Sequence, residues 1–130
     1  MNFSATASLL ARLGLAAIFI MAGLSKISGY EGTAGYMDSM GVPGALLPVV
    51  IAVEVLGGIA IVIGLFTRLA AAGLTVFTVA SALLFHFNLA DQTQYLMFWK
   101  NIAIAGGFLL LVANGPGAYS VDAWRKTTDK

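Results

Sequence analysis

Four long apolar runs separated by short polar stretches set the pattern of this chain. They extend from about Ala5 to Ser25, Ala45 to Phe66, Leu69 to Asn88 and Tyr95 to Ala113. Each is close to the roughly 20 apolar residues that a helix needs to cross the hydrocarbon core of a bilayer. The runs are joined by a long polar loop at 26–44, a minimal turn at Thr67-Arg68 and a moderate loop at Leu89–Gln94. So short a turn requires the second and third helices to be antiparallel neighbours. The pattern predicts an all-α integral membrane four-helix bundle with antiparallel up-down connectivity, in which residues 1–130 form one transmembrane domain.

Two further elements lie outside the spans. Ala34, Tyr36, Met37 and Met40 share a face in the first loop and predict a short interfacial helix between Gly32 and Gly41. The sequence Asn114-Gly115-Pro116-Gly117 stops the fourth helix. Beyond it, Ser120 is placed to cap a short amphipathic helix carrying Trp124 at headgroup level, with residues 127–130 frayed. No Lys or Arg precedes the first run and Arg12 interrupts it. The N-terminal segment therefore reads as a retained membrane helix rather than a cleaved signal.

The polar residues within the runs carry the functional information. Glu54 lies near the middle of LLPVVIAVEVLGGIAIVIGLF, residues 46–66. A charge at the centre of a span costs about 3 kcal/mol or more unless it meets protein, water or a countercharge. Helical spacing puts Arg12, Ala16, Phe19, Gly23 and Lys26 on one face of the first helix. Leu47, Val50, Glu54, Gly58 and Ile61 share a face of the second. Seams of the same kind are expected through Thr75, Val79, Ala82 and His86 in the third, and through Lys100, Ala103, Gly107, Leu111 and Asn114 in the fourth. Gly23, Gly57, Gly58 and Gly64 are expected to serve close helix packing.

Depth at 1.5 Å per residue puts Arg12 about 5 Å from the centre of its run, near the level of Glu54. An Arg12–Glu54 ion pair is therefore expected. His86 and Lys100 lie about one turn inside the opposite boundary, with Lys26 at the boundary and Asn88 and Asn101 close in sequence. Glu54, His86 and Lys100 are the candidate catalytic residues. Lys26, His86, Lys100 and Asn101 are the candidate ligand-binding set, in a wet chamber open to that face. Each feature also has a plainer reading. A buried pair can set helix register, lysines can snorkel to headgroups, and a lone histidine near a helix end is often just hydrogen-bonded.

Composition narrows the chemistry. The 130 residues are 59% hydrophobic and only 10% charged, against about 25% charged in soluble domains. A net charge of +1 gives no reason to expect nucleic acid. With no cysteine, disulfide relays, thiolate metal sites and Fe–S ligation are excluded from this chain. A single histidine excludes a two-histidine haem within one chain, and no metal site is expected. Arg68, Arg125, Lys126 and Lys130 gather at the end that holds both termini, which the positive-inside rule places in the cytoplasm.

The segments RLGLAAIFIMAGLSK (12–26), YMDSMGVPG (36–44), VEVLGGIAIVIGLFTRLAA (53–71), LLFHF (83–87) and GPGAYSVD (115–122), in that order, resemble the DoxX family of small bacterial membrane proteins. Arg12, Lys26, Glu54, Gly57 and Gly58 sit where the family pattern has such residues. The resemblance implies a multi-pass inner-membrane protein and leans towards an oxidoreductase coupled to quinone.

Three classes of function remain open. A quinone-linked redox component would use His86 and Lys100 as donors to a quinone oxygen and Glu54 as a proton relay, with electrons from a redox partner subunit or directly from a substrate. A binding or transport module would hold a small anion or metabolite in the positively lined chamber. A structural subunit would scaffold a larger membrane complex. The lipid bilayer is a partner in all three, and short glycine-bearing helices suit a homo-oligomer.

Overall fold

The computed structural model of the protein describes residues 2–128. Asp129 and Lys130, and with them the end of the segment expected to fray, lie outside the described residues; the chain is helical through Thr128. Among the described residues six α-helices follow one another: α1 (Phe3–Ser28), α2 (Tyr30–Ser39), α3 (Leu47–Ile63), α4 (Thr67–Phe85), α5 (Gln92–Asn114) and α6 (Val121–Thr128). A single 3-10 turn, Gly44–Leu46, leads into α3. α1, α4 and α5, and α3 together with this turn, are long and apolar enough to cross a membrane.

Local chemistry sets the helix ends. Asn2 caps α1 by accepting the N–H of Ala5 at 3.2 Å. Asp91 caps α5 by accepting from Thr93 and Gln94. Ser120 caps α6 through Ala123 at 3.1 Å. The α3–α4 turn is Gly64-Leu65-Phe66, three residues earlier than the Thr67-Arg68 turn expected, because Gly64 ends α3. Its φ of 72° is left-handed, and the N–H groups of Gly64 and Leu65 both bond to the carbonyl of Ala60. Gly64 is thus a helix stop that also lies against Ser120 and Arg12, rather than a helix-packing residue.

α1 packs on α3, α3 on α4 and α4 on α5, while α1 and α5 meet through side chains, Leu15 against Gly107 and Phe19 against Phe108. Because lipid tails are as apolar as the side chains, packing and small residues hold such helices together rather than water exclusion. A Cβ at Gly23 would stand 2.5 Å from Val55, and one at Gly58 would stand 2.6 Å from Ile20. At Gly57 it would meet Leu74 at 3.2 Å. The core behind these contacts is built on Ala16, Phe19, Ile61, Leu74, Phe108 and Leu111, with Phe19 and Phe108 edge to face at 5.5 Å.

The buried faces of α1 (Ala5, Arg12, Ala16, Phe19, Gly23) and α3 (Leu47, Glu54, Gly58, Ile61) are those expected from spacing. The other two seams are turned. α4 buries Thr67, Ala71, Leu74, Thr78 and Ala82, so Thr75 and Val79 lie to the side. α5 buries Asn101, Ala105, Phe108 and Leu111, leaving Ala103 and Asn114 exposed. In α4 and α5 apolar side chains surround the helix, so periodicity alone does not fix the inward face.

Arg12 and the tail close one end of the bundle. The Arg12 side chain is fully buried, and Nη1 donates to the carbonyls of Ile61 at 3.2 Å and Val62 at 2.9 Å. Nη2 donates to the carbonyl of Tyr119. These include α3 carbonyls that have no partner within their own helix, so a guanidinium from α1 caps α3 and ties in the tail. Asp122 completes the clasp. Its carboxylate accepts the N–H of Phe66 at 2.7 Å and of Thr67 at 2.8 Å, and its own N–H donates to Gly64 at 2.8 Å. Phe66 has a φ of 47°, uncommon for a bulky residue; the Asp122 bond and Arg125, 4.9 Å above its ring, hold it there.

Gly58→Val forces α1 from α3 and should lower stability by about 1–3 kcal/mol. Gly14→Ala, where nothing lies within 4 Å of the new methyl, should leave stability unchanged or raise it; thermal unfolding in detergent, followed by circular dichroism, compares the two. Burial alone would raise the Asp122 pKa, but the N–H groups of Thr67 and Phe66 and the nearby Arg125 outweigh it and hold the carboxyl below its usual range. A lowered folded-state value means that the stabilisation is present at neutral pH and is lost as pH falls through that value. Limited proteolysis of the tail should therefore accelerate under acid conditions, and Asp122→Asn should make it fast already at neutral pH.

Candidate functional site

α1 and α3 meet in a register that decides which charges can pair. Gly23 lies against Glu54 and Val55, Gly58 against Ala16 and Ile20, and Arg12 against Ile61 and Val62. The contacts run in opposite senses along the two helices. Glu54 is therefore level with the end of α1, one turn from Lys26, while Arg12 is about 10 Å further along α3. The expected Arg12–Glu54 pair is not formed. Aligning the two runs by their centres mispredicted it, because α1 extends to Ser28 and the close glycine contacts set the real register.

Glu54 pairs instead with Lys26. Nζ lies 3.0 Å from Oε1 and 3.3 Å from Oε2. The Glu54 side chain is 6% exposed and that of Lys26 29%. Lysine suits the position: its flexible stem packs along α1 while the ammonium bends inward to the carboxylate. Together they answer the cost of placing a carboxylate at this depth.

Two cavities flank the pair. The first, about 250 Å³, lies among α1, α3, α4 and α5 and is bordered by Lys26, Glu54, His86, Lys100, Asn101 and Thr78. Phe19, Phe77 and Met97 give it apolar walls. The second, about 320 Å³, shares Lys26, Glu54, Phe77, Ser81 and His86, and extends under α2 to Tyr36 and Met37. It exists because α2 folds back over this end: Asp38 Oδ1 accepts the N–H of Gly44 at 2.7 Å, and Tyr36 stacks on Phe85 at 5.8 Å. Five expected site residues, Lys26, Glu54, His86, Lys100 and Asn101, thus line one chamber. Arg12 is at the opposite end.

The polar groups of the chamber are unequally occupied. Asn101 Nδ2 donates to the carbonyl of Thr78 at 3.3 Å, so it fastens α5 to α4 while bordering the cavity. His86 closes α4, and Nδ1 lies 2.7 Å from Gln94 Oε1. With that oxygen accepting, Nδ1 carries the proton and Nε2 is the other ring nitrogen's free lone pair. Thr78 Oγ1 is buried without a partner among the described residues. Lys100 has no ion-pair partner among them. A buried hydroxyl and an ammonium left unmatched beside a cavity suit a hydrogen-bonding ligand.

Sequence reasoning missed Gln94, Thr78, Phe77 and Tyr36. Gln94 had a faint signal, since it follows His86 across one short loop. The other three are ordinary residues of apolar or helical stretches, and only the packing of α2 and the turn of α4 bring them to the site.

Removing one member of the pair has unequal consequences. Lys26→Met strands a buried carboxylate and should cost about 2–3 kcal/mol, less than a fully buried pair because Lys26 is partly exposed. Glu54→Gln leaves an ammonium that can swing to the boundary, and should cost about 1 kcal/mol or less. Equal losses in thermal unfolding would contradict this geometry.

The sequence profile of the DoxX family matches residues 7–87. The inner membrane protein YqjF of Escherichia coli (strain K12) is 53% identical over 114 residues, covering 88% of each chain. The inner membrane protein YphA of the same organism is 43% identical over 122 residues, covering 88% of this chain and 86% of its own. A Bacillus subtilis (strain 168) protein named "Putative oxidoreductase CatD" is 40% identical over 62 residues, 48% of this chain and 46% of its own. No solved structure matches. With its four membrane-length helices and a profile match over most of its length, this chain belongs to the DoxX family.

Proposed function

We propose that this protein is a quinone-binding component of an inner-membrane redox system, with both termini in the cytoplasm. The observation that carries the reading is the chamber in which Lys26, Glu54, His86 and Lys100 converge between aromatic walls. The relative named as an oxidoreductase lends support over the part of the chain it matches.

The residues fit such a headgroup. Its two carbonyl oxygens need donors on opposite sides, and its ring needs flat apolar neighbours. Lys100 borders the chamber with no ion-pair partner among the described residues, and Thr78, whose buried hydroxyl is unpartnered among them, forms part of its wall. Phe19 and Phe77, edge to face at 6.5 Å, give it an apolar wall, and the second cavity gives a substituted ring or the start of its tail a place under Tyr36. A bound quinone supplies two-electron, two-proton redox chemistry. The chain's own residues bind, orient and move protons. Lys100 donates to one oxygen and stabilises negative charge on it. His86, held by Gln94, presents Nε2 to the proton of a hydroxyl or, when protonated, returns it. Glu54 and Lys26 exchange a proton with the boundary, because Lys26 reaches the surface at one end and Glu54 borders both cavities. Without cysteine the chain has no thiol or Fe–S relay of its own, so electrons come from a partner subunit or directly from a reduced substrate.

The test is mass spectrometry of the lipid extract from purified protein, with a titration of a short-chain quinone followed by quenching of tryptophan emission. A near-stoichiometric quinone and saturable quenching are expected. Lys100→Met should weaken binding about tenfold, the value of one charge-assisted hydrogen bond. No extracted quinone together with no saturable quenching would overturn the proposal. Small-anion binding under those conditions would move the assignment to an anion site.

A further inference from the structure

The end of the bundle remote from the chamber carries a second concavity, which the redox reading does not use. It lies between the start of α4 and the α5–α6 loop and measures about 660 Å³. Arg68 and Lys126 border it with Asn114, Gly115 and the apolar residues Phe66 and Leu69. Both cations are exposed, and neither has an ion-pair partner among the described residues. Arg125 lies instead over the Phe66 ring. Asp122 also borders the cleft, but both its oxygens are taken by the N–H groups of Phe66 and Thr67, which offset its charge.

The cleft is shaped around Arg68. Gly115 has a φ of +76°, a conformation that side chains disfavour, and a methyl there would stand 3.2 Å from Arg68 Nε. Glycine thus gives the loop its turn and leaves room for the guanidinium to lie across it. The rim is apolar on the lipid side. Leu69 is 75% exposed and Val76, two turns further along the same face of α4, is 70% exposed. A ligand with an anionic head and a hydrocarbon body fits this combination better than a free anion does. A guanidinium fork and a lysine ammonium are complementary to a phosphate, and Leu69 and Val76 continue as a track for an acyl chain.

We propose that this cleft binds the phosphate headgroup of an anionic phospholipid, with Arg68 and Lys126 as its ligands. The bound lipid would sit against the tail clasp and tie the α5–α6 loop to the membrane surface. The site is independent of the quinone chamber, so either proposal can fail without the other.

Native mass spectrometry of the full chain in neutral detergent tests it, with phosphatidylglycerol, phosphatidylcholine and inorganic phosphate as probes. One phosphatidylglycerol per chain should be retained in preference to phosphatidylcholine, and millimolar inorganic phosphate should not displace it. Each cation near an anionic headgroup is worth about a factor of five, so Arg68→Gln with Lys126→Gln should weaken retention roughly twenty-five-fold. Both side chains are exposed, so the double variant should keep its helical circular dichroism. If it does not, Arg68→Gln alone and the selectivity of the unaltered chain decide. Equal retention of the two lipids, or an unchanged affinity in a folded variant, would overturn the proposal. Displacement by millimolar inorganic phosphate would overturn the lipid assignment in favour of a free-phosphate site.

Discussion

A carboxylate inside a helix bundle at membrane depth is the constraint around which this structure is arranged. Glu54 cannot remain charged there without a countercharge, and Lys26 supplies it from the end of α1 at 3.0 Å. For the two to meet, α1 and α3 must lie in one register and at close range. Gly23 provides the range, because any larger side chain would collide with Val55 beside Glu54. The ion pair and the glycine contacts are two expressions of one packing decision. α5 packs on α4 and meets α1 through side chains, Phe108 against Phe19, and the chamber is the space left at the level of the pair.

The opposite end solves a different problem. α3 stops at Gly64, and its last carbonyls would be stranded near the membrane surface. Arg12 reaches across from α1 to accept that role, and the tail adds Asp122 to satisfy the N–H groups that open α4. The buried arginine is therefore a cap supplied by a neighbouring helix. The clasp is fixed by these bonds, while the chamber lies at the level of the Lys26–Glu54 pair.

Much of this was legible in the sequence. The four runs, the short helix after α1, the helix stop at Gly115 and the cap at Ser120 follow from hydropathy and turn chemistry, and so do the inward faces of α1 and α3. The convergence of Lys26, Glu54, His86, Lys100 and Asn101 was legible too, because depth is nearly proportional to residue number within a helix. What was hidden is instructive. Arg12 and Glu54 looked level only because the runs were aligned by their centres; the true register depends on where Gly23 and Gly58 let the helices touch. The faces of α4 and α5 were hidden because apolar residues surround both helices. Gln94 and Thr78 were hidden because nothing in a sequence says which hydroxyl will lack a partner.

Glu54 is energetically coupled to Lys26 and not to Arg12. A pair of double-mutant cycles in detergent, read by thermal unfolding, measures this most directly, using Lys26→Met and Arg12→Met each with Glu54→Gln. The account predicts a coupling of about 1–3 kcal/mol between positions 26 and 54, and additivity within about 0.5 kcal/mol between positions 12 and 54. Additivity at 26 and 54, or strong coupling at 12 and 54, would contradict it.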